Sequence, residues 1–445
     1  MAKILAFQSF DQSEVDLNFI SRTLVDVIYD PQWNFSYDGI VYPEVIALPH
    51  QDDGVDYLTL LGGRGFRLAP DYSVLDGRLE VIGTLGIDAY GEVVENWEMT
   101  RIDVPLRDFY EALLTFDRAD DRALLARALR GNDLFDLSPE DDRAFGMGGA
   151  DRMFGRGGDD WLEGGAGFDM LDGGLGDDLL LGEAGNDRLL GGGGADLLSG
   201  GVGDDRVLGG AGADRLSLDG GADLLDGGAG IDWLDHFGST AIRVDLARTA
   251  EQATGMGRDT IRNIENVNAA AGNDVLLGNG VQNRLIGNAG NDRLSGRAGN
   301  DLLAGGTGAD ILDGGYGADR LQGGGGADRL VGGRGIDRMS GGLGEDVFVF
   351  RSVLDSRAGA ADVVTDFRHG IDLLDLSRID ADTGRGGNQA FHLADDNRLG
   401  DAGSIAVVHS RTETRVLLDD DGDGRADMVI RLAGQVDLDA NDFIF

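Results

Sequence analysis

Aspartate keeps strict time in this chain. From Asp133 it stands at every ninth position, through Asp142, Asp151, Asp160, Asp169, Asp178, Asp187, Asp196, Asp205, Asp214 and Asp223 to Asp232. A second series runs through Asp274, Asn283, Asp292, Asp301, Asp310, Asp319, Asp328, Asp337 and Asp346. Glycine recurs in the same phase. It stands five places before the aspartate at Gly173, Gly191, Gly200, Gly209, Gly227, Gly305, Gly314, Gly323 and Gly332. It stands two places before at Gly176, Gly194, Gly203, Gly212, Gly230, Gly308, Gly317, Gly326 and Gly335. Carboxylates offer hard oxygen, and glycine lets backbone carbonyls crowd a ligand. Oxygen donors without thiolate or imidazole suit a hard divalent cation such as Ca2+. The candidate metal ligands are these glycines, the aspartates from Asp151 to Asp232, Asp274, and those from Asp292 to Asp346. Paired carboxylates carry no catalytic information in a chain this acidic, because chance supplies them.

An element must hold each aspartate in place. Two residues after it comes an apolar side chain, from Phe135, Met153, Leu162 and Leu171 to Leu330, Met339 and Phe348, with only Ala144 weak. The unit therefore reads G-G-x-G-x-D-x-U-x, U being apolar, as in GGAGIDWLD from Gly227 to Asp235. The x-U-x triplet predicts a very short strand whose apolar residue points inward. One such side chain per nine residues is too little burial to offset the conformational entropy of ordering the unit. Metal binding, which favours only the folded state, supplies what is missing. A disordered glycine-rich tether gives no reason for an apolar residue at fixed phase.

The totals agree. The 445 residues include 75 Gly, 6 Pro and no Cys, with a net charge of −42. The glycine is not spaced for collagen, and no disulfide framework is possible. So much negative charge opposes compaction unless cations neutralise it, and it argues against a nucleic-acid partner. No segment is long and apolar enough for a membrane span, and the start lacks the apolar run of a Sec signal.

Along the chain, residues 1–127 read as a β-rich N-terminal domain ending in a helix, PLRDFYEALLTFDRADDRALLARALRG, with Pro105 near its start and Gly131 past its end. That helix is expected to cap the first array. Residues 128–235 hold twelve units in register, opening on the glycine-poor LSPEDDRAF. Residues 236–268 break the phase and read as a β plug. Residues 269–349 hold nine units. Residues 350–445 lose the glycine and return to strands such as TRVLLD, read as a β-sandwich-like C-terminal domain.

The nonapeptide resembles that of the RTX family of secreted calcium-binding proteins. The tail, from GEDVFVF through ADVVTDFRHGIDLLDLSRID to LDANDFIF, is similar to the C-terminal domain of serralysin-type metalloproteases. The resemblance implies an all-β fold of two right-handed parallel β-roll (calcium β-helix) arrays. Two units make one coil, so that turns eighteen residues apart, such as Asp178 and Asp196, stack around the ions. Pairing every turn with the one two units later gives about 17 ions, about 13 of them in good sites. It also implies a secreted, extracellular protein exported by a type I (ABC) exporter through an uncleaved C-terminal signal. The ending Asp442-Phe443-Ile444-Phe445, acidic then apolar, fits such a signal. Proteolysis does not carry over. None of the five histidines begins H-E-x-x-H, and no G-x-S-x-G is present.

Smaller signals remain. HQDDG, from His50 to Gly54, reads as an acidic turn before it reads as a metal site. DDDGDG, from Asp419 to Gly424 and followed by Asp427, reads as a hairpin turn, with an extra Ca2+ site as its alternative. Arginine follows the aspartate at Arg152, Arg188, Arg206, Arg215, Arg284, Arg293, Arg320, Arg329 and Arg338. These should point outward and form a solvated face; anionic polysaccharide or a cell surface is the possible partner. The leading reading is a structural, binding or adhesive protein that folds on Ca2+ outside the cell. The competing one is a secreted hydrolase with an unrecognised site in residues 1–127.

Overall fold

The computed structural model describes residues 131–445, except 386–387 and 395–396, together with the backbone of eight strands between Lys3 and Pro105. The helix expected after Pro105, and the side chains of His50, Asp52 and Asp53, lie outside the described residues. The chain divides into two units, Met1–Gly230 and Ile231–Phe445.

In the first unit, Glu44–Asp52, Val55–Leu68, Val74–Ile87 and Val93–Pro105 form an antiparallel meander. Lys3–Ala6 joins the meander to the repeats. This strand runs antiparallel to Val93–Pro105 on one side and parallel to Leu134–Asp136 on the other. From there the sheet is parallel, and each strand pairs with the one eighteen residues on. Phe135, Met153, Leu171, Leu189, Val207 and Leu225 stack along one sheet. Ala144, Leu162, Leu180, Leu198 and Leu216 stack along the other. All of these apolar side chains are fully buried. This is a parallel β-solenoid with its core between two ladders of single inward residues. The strand alternation explains it: the apolar residue faces in and its two neighbours face out.

The second unit repeats the arrangement and extends it in two ways. Residues 236–268 are not a separate plug. Trp233–Asp235 pairs in parallel with Asn266–Asn268, thirty-three residues apart, and Arg243–Asp245 pairs in parallel with Val275–Leu277. The segment is thus an enlarged coil whose Val244 and Val267 are buried in line with Leu276 and Leu285. Nor do residues 350–445 form a free-standing sandwich. Val363–Val364 pairs with Arg338–Leu343, and Leu373–Asp375 pairs with Val347–Val349, both in parallel. Phe443–Ile444 then pairs with Leu373–Asp375. On the other sheet Met428–Ala433 lies next to Val363–Val364, and beyond it come the antiparallel strands Glu413–Asp419 and Ser404–His409. The reason is that a solenoid's last rung leaves backbone groups and an apolar end open, and the tail covers them with more strand. Among the described residues there is no α-helix; Ala440–Asp442 is a single 3-10 turn.

Candidate metal centres

Each ladder aspartate sits just before its strand and turns its carboxylate inward. Asp151, Asp160, Asp169, Asp178, Asp187, Asp196, Asp205, Asp214, Asp223 and Asp232 are at most 4% exposed. So are Asp274, Asp292, Asp301, Asp310, Asp319, Asp328, Asp337 and Asp346. Oδ1 has a regular duty. It accepts the backbone N–H of the residue one coil earlier, as from Asp160 to Asp178 at 2.9 Å, from Asp178 to Asp196 at 2.9 Å and from Asp301 to Asp319 at 2.8 Å.

In many of them Oδ2 has no such partner. In Asp151, Asp160, Asp169, Asp178, Asp187, Asp196 and Asp205 it is buried without any hydrogen-bond donor. The same holds for Asp274, Asp292, Asp301, Asp310, Asp319, Asp328 and Asp337, and beyond the repeats for Asp362. A buried carboxylate oxygen without a donor carries a large desolvation penalty. Without a cation, burial pushes the Asp160 carboxyl up to about 8. It pushes Asp151, Asp187, Asp196 and Asp319 up to about 7 and Asp178, Asp292, Asp328 and Asp337 up to about 6. The repulsion of aspartates one coil away adds to burial, as Asp178 and Asp142 do at Asp160.

Glycine builds the space these oxygens face. A Cβ placed on Gly191 would overlap Asp196 Oδ2 and lie 2.6 Å from the Gly209 carbonyl oxygen. Gly314 stands the same way toward Asp319 Oδ2 and the Gly332 carbonyl oxygen, also 2.6 Å from its Cβ position. The glycine two places before the aspartate has a different reason. Gly194 has φ +142°, and a Cβ there would strike the Gly176 carbonyl of the previous coil. A buried anionic oxygen, a glycine carbonyl and a gap where a side chain is forbidden recur coil after coil. The donors are all oxygen, which fits Ca2+ and fits no thiolate- or imidazole-seeking metal.

At Asp142 and Asn283 the side chain is met by neighbouring groups of the chain instead. Asp142 Oδ2 accepts from Ser138 N and Ser138 Oγ, both at 2.8 Å. Asn283 spends its amide on the Glu265 carbonyl at 2.7 Å and on Asn279 N at 2.8 Å. Both lie at breaks in the glycine pattern. There the chain satisfies the oxygen itself.

Sequence reasoning missed a second ladder outside the first. It is made by the residue just before the aspartate. Asp159 Oδ1 accepts from Asp177 N at 2.8 Å, Asp177 Oδ1 from Ala195 N at 2.6 Å and Asn291 Oδ1 from Ala309 N at 2.7 Å. Its bonds run opposite to the inner ones: here the later coil donates to the earlier. The recurrence of Asp or Asn at this position was the available signal.

Outside the ladders, Asp419, Asp421 and Asp423 each bring a carboxylate oxygen within 4.8 Å of the others, in the hairpin between Glu413–Asp419 and Met428–Ala433. Both Asp419 oxygens accept loop N–H groups, from Gly422 at 2.7 Å and Gly424 at 2.8 Å. The arginines after the ladder aspartates face outward; Arg329 is half-buried and the other eight are exposed. Arg329 pairs with Asp375 at 2.8 Å.

Residues 260–445 match the family described as peptidase M10 serralysin C terminal. Four copies of the RTX calcium-binding nonapeptide repeat match at 130–171, 163–198, 172–207 and 199–234. No curated protein sequence matches the chain. Among solved structures, the chain is similar to the AlgE6R3 subunit of the Azotobacter vinelandii mannuronan C5-epimerase. The identity is 23%, over 38% of this chain and 81% of that one, with a TM-score of 0.25.

Proposed function

We propose that this chain, which carries RTX calcium-binding nonapeptide repeats and a serralysin C-terminal domain, is a secreted protein that folds when Ca2+ fills its aspartate ladders. The observation that carries the reading is the buried Oδ2 without a donor that recurs from Asp151 to Asp205 and from Asp292 to Asp337, facing a gap kept open by glycine. The ions would be held by the ladder aspartates and by glycine carbonyls of neighbouring coils, and they would cancel most of the −42 charge. Extracellular calcium modules work at Kd near 10⁻⁴–10⁻³ M, roughly the level of calcium outside cells. Inside a cell the same sites stay empty and the chain stays open, the state in which it passes a type I exporter. Outside, the folded rolls serve a structural, binding or adhesive role. The outward arginines are the surface an anionic polysaccharide or cell-surface partner would meet.

Calcium titration of the metal-free full chain, followed by far-UV circular dichroism, tests this. A steep, cooperative gain of β-structure below a few millimolar Ca2+ is expected, with Mg2+ ineffective. Rolls that persist unchanged in excess EGTA would refute it.

A further inference from the structure

The two aspartate ladders of the second unit end differently. One closes on Asp362. Asp337 N donates to Asp362 Oδ1 at 2.9 Å, and Asp362 Oδ2 is buried with no donor. The other closes on Asp372, whose Oδ1 accepts Asp346 N at 3.1 Å. At this end an arginine enters the ladder. Arg368 Nη2 donates to Asp372 Oδ1 at 2.9 Å and lies 3.5 Å from Asp346 Oδ2. Its Nε lies 3.3 Å from Asp372 Oδ2, and Nη2 also donates to the Gly344 carbonyl. Arg368 N holds Asp372 Oδ2 at 2.7 Å. One guanidinium thus touches carboxylates of two successive rungs and a glycine carbonyl, the donor types that converge on the gaps of the repeats. The corresponding Oδ2 atoms of Asp292, Asp301, Asp310, Asp319, Asp328 and Asp337 have no such donor.

We propose that Arg368 is a cation built into the chain that closes this ladder in place of a metal ion, so that the rung from Asp346 to Asp372 binds no Ca2+ and orders without it. The chemistry suits the task. A guanidinium is charged at every working pH, and its planar fork can serve two carboxylates and a carbonyl together. The neighbouring elements support the rung. Phe443–Ile444 covers the edge of Leu373–Asp375, and buried Asp442 accepts Gly370 N at 2.9 Å with His369 Nδ1 2.9 Å from its other oxygen. A rung that orders alone gives a solenoid a fixed end on which the next coil can stack, because such folds grow by nearest-neighbour addition. Calcium then has only to extend an existing end.

The inference rests on the calcium reading above, and the experiment separates the two. The full chain and its R368Q variant are loaded with Ca2+ and their ions counted by native mass spectrometry. Hydrogen exchange of 344–376 is followed in EGTA. R368Q should bind one more ion than the parent, since Asp346 and Asp372 then lack their built-in cation. In EGTA, exchange across 344–376 should quicken at least tenfold in R368Q and be restored by R368K. A crystal structure of the calcium-loaded parent should show the guanidinium between Asp346 and Asp372. An ion there with the arginine swung away, or equal ion counts in parent and variant, overturns the inference. A parent that binds no calcium anywhere overturns the calcium reading instead.

Discussion

The repeats and the terminal three-stranded meander are both β-structure, yet they hold together by different means. In a repeat one apolar side chain in nine residues is fully buried, and next to it lies a carboxylate with an oxygen no donor meets. In the meander Ser404–His409, Glu413–Asp419 and Met428–Ala433, apolar burial is dense: Ile405, Ala406, Val407, Val416, Leu418, Met428, Val429, Ile430 and Leu432 are all buried. Its acid is answered from within, Glu413 taking Arg431 at 2.7 Å and Arg415 at 2.6 Å. The first arrangement has oxygens waiting for a cation. The second has an ordinary hydrophobic core. Regular backbone pairing alone therefore says little about what a sheet needs in order to exist.

The sharpest way to break this contrast is to withdraw calcium. In EGTA, amide exchange in the strands from Arg152–Gly157 to Leu224–Gly230 should rise to that of an open chain. Exchange in Glu413–Asp419 and Met428–Ala433 should change little. Equal loss in both regions would mean that the meander also depends on the ions.

A smaller, local effect comes from single gaps. Each ion at about tenfold its Kd adds about 1.4 kcal/mol. Asp178→Ala with Asp196→Ala should therefore raise the calcium midpoint, read by circular dichroism. Gly191→Ala should do the same while keeping the carboxylate, because its Cβ fills the space between Asp196 Oδ2 and the Gly209 carbonyl. Asp142→Ala should leave the midpoint nearly unchanged, since Ser138 already serves its Oδ2. A midpoint indifferent to Gly191→Ala would show that the gap is not where the ion sits.

The smallest expected effect is on pH, and its sign differs between the regions. Ladder carboxyls such as Asp160 and Asp196 are raised in the folded state by burial, from 3.8 to about 8 and about 7. The folded state therefore binds more protons than the open one between those values. Without metal, this contribution is present below pH 3.8 and is lost as pH rises through about 7 and 8. Acidifying the EGTA-treated chain from about pH 8 toward about pH 5 should restore part of the roll, and calcium should bind more weakly there because protons compete. Glu413 is lowered by its hydrogen bonds to Arg431 and Arg415. Its contribution is present at neutral pH and lost on acidification. Rolls that loosen on acidification in EGTA would contradict the sign.

Much of this was legible in the sequence, and the reason is periodicity. A nine-residue phase fixes which residue faces in, so the inward Leu171 and Leu189 could be read directly, while their stacking one coil apart was implied by the resemblance to the RTX family. What lay outside the phase could not. The coil from Asp235 to Asn268 spans thirty-three residues, and the rungs at Asp362 and Asp372 come after twenty-five and twenty-six, so no fixed spacing announces them. The tail looked like a separate domain because its strands lose glycine, while backbone pairing, which is blind to glycine content, carries on. Arg368 was invisible for a similar reason. It meets Asp346 across twenty-two residues, and nothing in DFRHG sets its arginine apart.

The spacing of the paired strands has one more consequence. All-β proteins usually fold slowly, since their strands find partners far along the chain and must first close long loops. In the repeats nearly every strand finds its partner eighteen residues away. This is the sequence locality of a helical bundle achieved with sheet. Each new coil asks for only one coil's length of fresh chain beyond those already in place. A polypeptide delivered gradually can therefore be wound up in the order of its delivery, with no long stretch of strand waiting for a distant partner.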